Sequence, residues 1–135
     1  MAGLEEIKRV VVAVDLSTEH AKRCVSLAAS LAKGTDRETV ILTVIRNSDI
    51  IDSEGRMDHD ELVISSNLFS FHGVVKSEFV KSDDVAGAIC GYCKSVDADL
   101  VIVGGSGRSF LKSALLGSVS EKVVGEAPCS ILIAK

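Results

Sequence analysis

Short apolar runs alternate along the chain with longer stretches whose apolar residues recur every three or four positions. Residues 9–14 (RVVVAV) are apolar throughout after the first, as expected of a strand covered on both faces. Residues 18–33 follow. Here Ala21, Cys24, Val25, Ala28, Leu31 and Ala32 form a helical stripe, and Gly34 is a natural stop. Residues 39–45 (TVILTVI) have the length and β-branching of a second buried strand. The more polar residues 74–80 predict a third strand nearer a sheet edge.

A helix is expected over residues 83–96, with Asp83-Asp84 as its cap and Val85, Ala86, Ile89, Cys90, Cys93 and Val96 on one face. Residues 100–103 read as a fourth strand running into Gly104-Gly105. Residues 118–126 read as a helix and residues 130–133 as a last strand. The stretch 46–72 is weak. Its first part is polar without a period, and residues 58–71 fit only an untidy helical pattern through Leu62, Ile64, Leu68 and Phe71.

The resulting order is β-α-β-(α)-β-α-β-(loop)-α-β. Strands that alternate with helices imply a doubly wound α/β fold, a parallel sheet with helices on both faces. Such sheets take ligands at the carboxyl ends of their strands, where the strand order reverses. That directs attention to Asp15, Val44 and the segment after Val103.

Composition narrows the function classes. The chain has 135 residues, 47% hydrophobic and 25% charged, and residues 1–135 read as a single globular domain. The net charge of −4 and a pI near 5.3 argue against a nucleic-acid partner. The longest apolar run, residues 10–14, falls far short of the roughly 18 residues a membrane-spanning helix needs. MAGLEEIKR at the start lacks the apolar core of a signal peptide. The expectation is a cytoplasmic protein with no membrane partner.

Four cysteines raise zinc and redox readings. Zinc sites usually show two close pairs, and only Cys90-Gly-Tyr-Cys93 is one. Redox C-x-x-C pairs sit where a helix begins, whereas this pair falls two turns past the expected cap. Buried core thiols are the preferred reading. Asp58-His59-Asp60 resembles a metal cluster, but its polar, patternless setting favours a solvated loop.

Residues 104–118 (GGSGRSFLKSALLGS) carry the chemistry. Gly104, Gly105 and Gly107 leave backbone N–H groups free to face a ligand, and clustered N–H groups make an anion-binding nest. Ser106, Ser109 and Ser113 add hydroxyls; Arg108 and Lys112 add positive charge. Gly117-Ser118 then opens a helix whose amino end also favours an anion. Ser118-Val119-Ser120-Glu121 is equally a capping box that needs no ligand. Neither G-x-x-x-x-G-K-[ST] nor G-x-G-x-x-G is present.

Gly104-x2-Gly107-x9-Gly117-Ser118 matches another spacing, G-x2-G-x9-G-[ST], and here the chain resembles the nucleotide-binding branch of the universal stress protein family. Residues 9–15 resemble that family's first strand with its terminal aspartate. Residues 98–104 (ADLVIVG) resemble its fourth strand. Residues 116–123 (LGSVSEKV) with Ala127-Pro128-Cys129 resemble its last helix and the entry to its last strand. The match covers residues 9–45 and 74–135. Three positions depart from the family's common pattern: Leu16 in place of a small residue, Ser106 in place of histidine, and Ser130 in place of proline.

The resemblance implies a five-stranded parallel sheet of order 3-2-1-4-5, adenine-nucleotide alpha-hydrolase-like, with ATP across the carboxyl ends of strands one and four. It puts Asp15 by the adenosine and Val14 and Val44 by the adenine. Val103 and Gly104 would line the nucleotide, and Ser106, Gly107, Gly117, Ser118, Val119 and Ser120 would hold ribose and phosphates. The ligand would be ATP, ADP or AMP, with Mg²⁺ or Mn²⁺ held through the phosphates. The resemblance also implies a homodimer formed by the last strand, residues 130–133 (Ser130, Ile131, Leu132, Ile133).

Phosphoryl transfer needs an oriented water and charge stabilisation at the transferred group. Arg108 and Lys112 could supply charge, but no water-positioning base stands near the loop in sequence. A regulatory stress-response module with slow or no hydrolysis is therefore expected. The alternatives are a nucleotide-free, partner-binding dimer of the same fold, and a small enzyme, either a slow ATPase or a thiol-redox protein.

Overall fold

The structure, a computed structural model, describes residues 6–14, 18–46, 75–104 and 118–134. Asp15, Leu16, Ser106, Gly107, Gly117, Asp58-His59-Asp60 and the weak stretch from residue 47 onward lie outside the described residues.

Eight elements follow in chain order: β1 (Arg9–Val14), α1 (Thr18–Ala32), β2 (Glu38–Ile45), β3 (Val75–Lys81), α2 (Val85–Ser95), β4 (Leu100–Gly104), α3 (Ser118–Glu126) and β5 (Ser130–Ala134). Each expected element over these residues is present, with ends moved by at most two residues. The strands form one parallel sheet in the order β3-β2-β1-β4-β5. This is the 3-2-1-4-5 order, and β3 stands at an edge as its polarity predicted.

The pleat of β1 explains why its apolar run is unbroken. Val10, Val12 and Val14 face one side, where they pack with Ile41, Leu100 and Ile102 against Ala21, Cys24, Val25 and Ala28 of α1. Val11 and Ala13 face the other side, with Val40, Leu42, Val101 and Val103, beneath Ala86, Ile89 and Cys93 of α2 and Val123 of α3. Val11, Val12, Val40, Ile41, Leu42, Val101 and Ile102 have no exposed surface. Each such side chain contributes about 1.5–3 kcal/mol of burial, which makes the three central strands the stable frame for whatever stands at their ends.

Helix ends follow local chemistry. After α1, Gly34 takes φ +73°, the left-handed conformation that glycine adopts at no steric cost. Asp84 caps α2, its Oδ1 accepting from Gly87 N–H at 3.0 Å. A Cβ on Gly87 would stand 2.3 Å from Asp84 Oδ2, so the glycine is what lets the carboxylate close over the helix start.

At the amino ends of the strands, side chains tie distant segments together. Asp99 Oδ2 accepts the N–H groups of Lys8 and Arg9, both at 2.9 Å. The Arg9 guanidinium donates to Glu38 Oε2 at 3.1 and 3.2 Å and to the Val96 carbonyl. Arg37 donates to the carbonyls of Ile7 at 2.8 Å and Leu31 at 2.6 Å.

Candidate functional site

Between β1 and β4 the order of connection reverses, because β1 leads to β2 on one side while β4 leads to β5 on the other. The register Val10↔Leu100, Val11↔Val101, Val12↔Ile102, extended by two places, sets Val14 beside Gly104. These two residues mark the crevice where doubly wound sheets take ligands. Gly104 ends β4 without a side chain, opposite Ala134 of β5.

Helix α3 begins at this same end of the sheet. Ser120, in its first turn, is 4% exposed, and its hydroxyl donates to the Gly104 carbonyl at 2.5 Å. One turn on, Val123 is wholly buried, and Val119 packs at the margin of the same cluster. These contacts fasten the amino end of α3 to the end of β4. The first N–H groups of any α-helix have no partner within the helix, and the helix dipole makes that end favour an anion. Ser118, at the start of α3, is exposed.

The expected site residues divide into groups. Gly104, Ser120, Val103 and Val119 meet at the junction of β4 and α3. Val44, at 6% exposure, lies with Val103 on the sheet face covered by α2 and α3. Val14, at 7%, lies on the opposite face, under α1, and pairs in register with Thr43, which is buried. The two valines expected near an adenine thus flank the sheet end from opposite faces. Asp15, Ser106, Gly107 and Gly117 lie outside the described residues.

Sequence reading took Asp84 only as a helix cap and passed over Lys122. Lys122 Nζ approaches Asp84 Oδ1 at 3.4 Å and so links α3 to the cap of α2. The Gly87 N–H, aided by the Lys122 charge, holds the Asp84 carboxyl below the usual carboxylate range. No sequence signal pairs residues so far apart; only the packing of α2 on α3 brings them together.

The thiols behave as core. Cys93 has no exposed surface, and burial pushes its thiol up to about 12. Burial also raises Cys90 and Cys129, both half-buried. Redox cysteines need a lowered pKa and access; both thiols of the pair are raised instead, Cys93 is buried as expected, and Cys90 is half-buried where a buried thiol was expected. Among the described residues no group of three His, Cys, Asp or Glu could hold a metal ion, and no helix is long and apolar enough to cross a membrane.

A doubly wound parallel sheet with a helix start fastened at its switch point defines a class of α/β fold. Within that class the chain belongs to the universal stress protein family, whose model matches residues 6–135. It is 25% identical over 138 residues to universal stress protein Sll1654 of Synechocystis sp., an alignment covering 97% of this chain and 87% of that one. The fold is shared with hypothetical protein MJ0577, at a TM-score of 0.75 and 22% identity over 96% of both chains. It is shared also with a universal stress protein solved in complex with cAMP, at a TM-score of 0.70 and 22% identity over 95% of this chain and 96% of that one.

Proposed function

We propose that this chain is an ATP-binding regulatory module of the stress response that works as a homodimer and hydrolyses ATP slowly or not at all. The observation that carries the reading is the junction of β4 and α3. Ser120 fastens a helix start to Gly104 at the switch point of the sheet, and Gly104 and Ser118 are the outer ends of G-x2-G-x9-G-[ST]. The complex of a structural relative with cAMP lends support.

In this reading Val14, Val44 and Val103 give the adenosine an apolar bed at the strand ends, with Asp15 beside it. Gly104 lines the nucleotide, and Ser106, Gly107, Gly117, Ser118, Val119 and Ser120 hold ribose and phosphates, chiefly with backbone N–H groups. The metal ion, Mg²⁺ or Mn²⁺, is held mainly by phosphate oxygens. When bound it supplies charge neutralisation between phosphates. Residues 1–135 act as one module in the cytoplasm, without nucleic acid or membrane as partner.

The dimer rests on β5. It ends the sheet, and Ile131, Leu132 and Ile133 are only half-buried. An edge strand presents unpaired backbone groups, and two copies related by a twofold axis can satisfy them.

Calorimetric titration with ATP and Mg²⁺ tests the nucleotide. Micromolar binding is expected, lost in Gly107→Val with the circular dichroism spectrum retained. Binding that survives Gly107→Val displaces the cradle from this loop. A wild-type protein without titration heat, and with an unshifted Tm, favours the nucleotide-free, partner-binding dimer. For the interface, Ile131→Glu is expected to convert the dimer to a folded monomer in sedimentation, because it buries a charge between apolar strands. An unchanged sedimentation coefficient rejects β5 as the interface.

A further inference from the structure

A serine hydroxyl carries a single proton to donate. In Ser120 that proton goes to the Gly104 carbonyl at 2.5 Å, in a side chain only 4% exposed. Phosphate oxygens accept and do not donate, so a hydroxyl already spent on a carbonyl has nothing left to give them. We infer that the Ser120 hydroxyl is a positioning group for the nucleotide and not one of its ligands: it holds the first turn of α3 against the end of β4 and quiets the Gly104 carbonyl, leaving the backbone N–H groups of the helix start to meet the phosphates. The inference rests on the adenine-nucleotide reading above.

Two consequences separate this role from direct contact. First, the bond exists before any ligand arrives, so its loss should show in the free protein. Val119 packs at the margin of the core and Val123 is wholly buried. Ser120 between them is the polar fastening of the same turn, and without it the backbone there opens more readily. Second, a carbonyl without a donor at the mouth of an anion site turns its negative end toward the ligand. The resulting repulsion grows with ligand charge. A fastening that served the fold alone would lower stability and change all ligands alike.

The experiment compares wild type with Ser120→Ala in two measurements. In the ligand-free protein, amide hydrogen exchange across residues 119–122 is expected to accelerate by about tenfold in the variant, since a half-buried acceptor is left without its donor. In titrations with adenosine, AMP and ATP, the last with Mg²⁺, binding is expected to weaken by less than about twofold for adenosine, about threefold for AMP and about tenfold for ATP. Ser120→Thr, which keeps a hydroxyl, should restore ATP binding.

Unchanged exchange in the free protein together with weakened ATP binding would mean that the hydroxyl touches the ligand, and would overturn the inference. Equal losses for all three ligands would overturn it as well, in favour of a purely structural bond. A wild-type protein that binds none of them defeats the nucleotide reading and this inference with it, a result distinct from either pattern in the variant. Should Ser120→Ala fail to fold, Ser120→Cys, close in size and a weak donor, carries the same two measurements.

Discussion

At the amino ends of the strands, Asp99 takes the N–H groups of Lys8 and Arg9, while Arg9 and Arg37 reach Glu38 and the carbonyls of Val96, Ile7 and Leu31. At the carboxyl ends, the described side-chain bonds tie helices: Ser120 to Gly104, Asp84 to Gly87, Lys122 to Asp84. The first rim spends its polar groups on itself. The second holds two helix starts, α2 capped by its own aspartate and α3 fastened by a serine, and it is the rim where the strand order reverses. A saturated rim has little left to offer a ligand, whereas a rim that positions helix starts keeps backbone donors in reserve. Under the proposed function, one sheet divides stability and recognition between its two ends.

Removing Asp99 should break the saturated rim. Asp99→Ala leaves two backbone N–H groups without their acceptor, that of Lys8 exposed and that of Arg9 half-buried, and a loss of about 1–2 kcal/mol is expected, read as a lowered denaturant midpoint. ATP affinity of the folded fraction should stay within about twofold, because the site lies at the other end of the strands. A large affinity loss would show that the rims are not independent.

The buried thiol of α2 gives a smaller, pH-dependent effect. Cys93 is raised from its ordinary value of 9.0 to about 12 in the folded chain. Its contribution to stability is therefore complete below pH 9 and is lost as the pH rises from 9 toward 12. Denaturation midpoints should fall over that window and fall less in Cys93→Ala. At pH 8, an alkylating reagent should leave Cys93 unmodified until the protein unfolds. Rapid native-state labelling would return the C-x-x-C pair to the redox reading.

Smallest of all is the effect expected at the cap of α2. The folded Asp84 carboxyl titrates below its ordinary value of 3.8, chiefly through the Gly87 N–H. Its stabilisation is present above pH 3.8 and disappears as the pH falls through the lowered value. Asp84→Ala should lower Tm slightly at pH 7 and not at all at very low pH. Equal losses at both would mean that the charged cap is not what matters.

Most of the frame was legible in the sequence. The unbroken run of β1 called for a strand covered on both faces, and Val10 and Val11 do face opposite helix layers. The stripe of α1 placed Ala21, Cys24, Val25 and Ala28 in the core, and all four are buried. The spaced glycines pointed to the end of β4. What periodicity could not carry was partnership across the chain. Asp99 with Arg9, and Lys122 with Asp84, are separated by dozens of residues, and no spacing rule relates them.

Ser120 shows where local and tertiary information part. By itself the sequence determined the strands, the helices, the parallel sheet that their alternation requires, and the carboxyl end as the place to look, because side-chain periodicity and turn chemistry act over a few residues. Tertiary structure alone decided which way each hydroxyl and charge is spent. It set Ser120 against Gly104 and divided Val14 and Val44 between the two faces. Those assignments depend on where β4, α2 and α3 meet, and hydrogen bonds and burial are settled only at that contact.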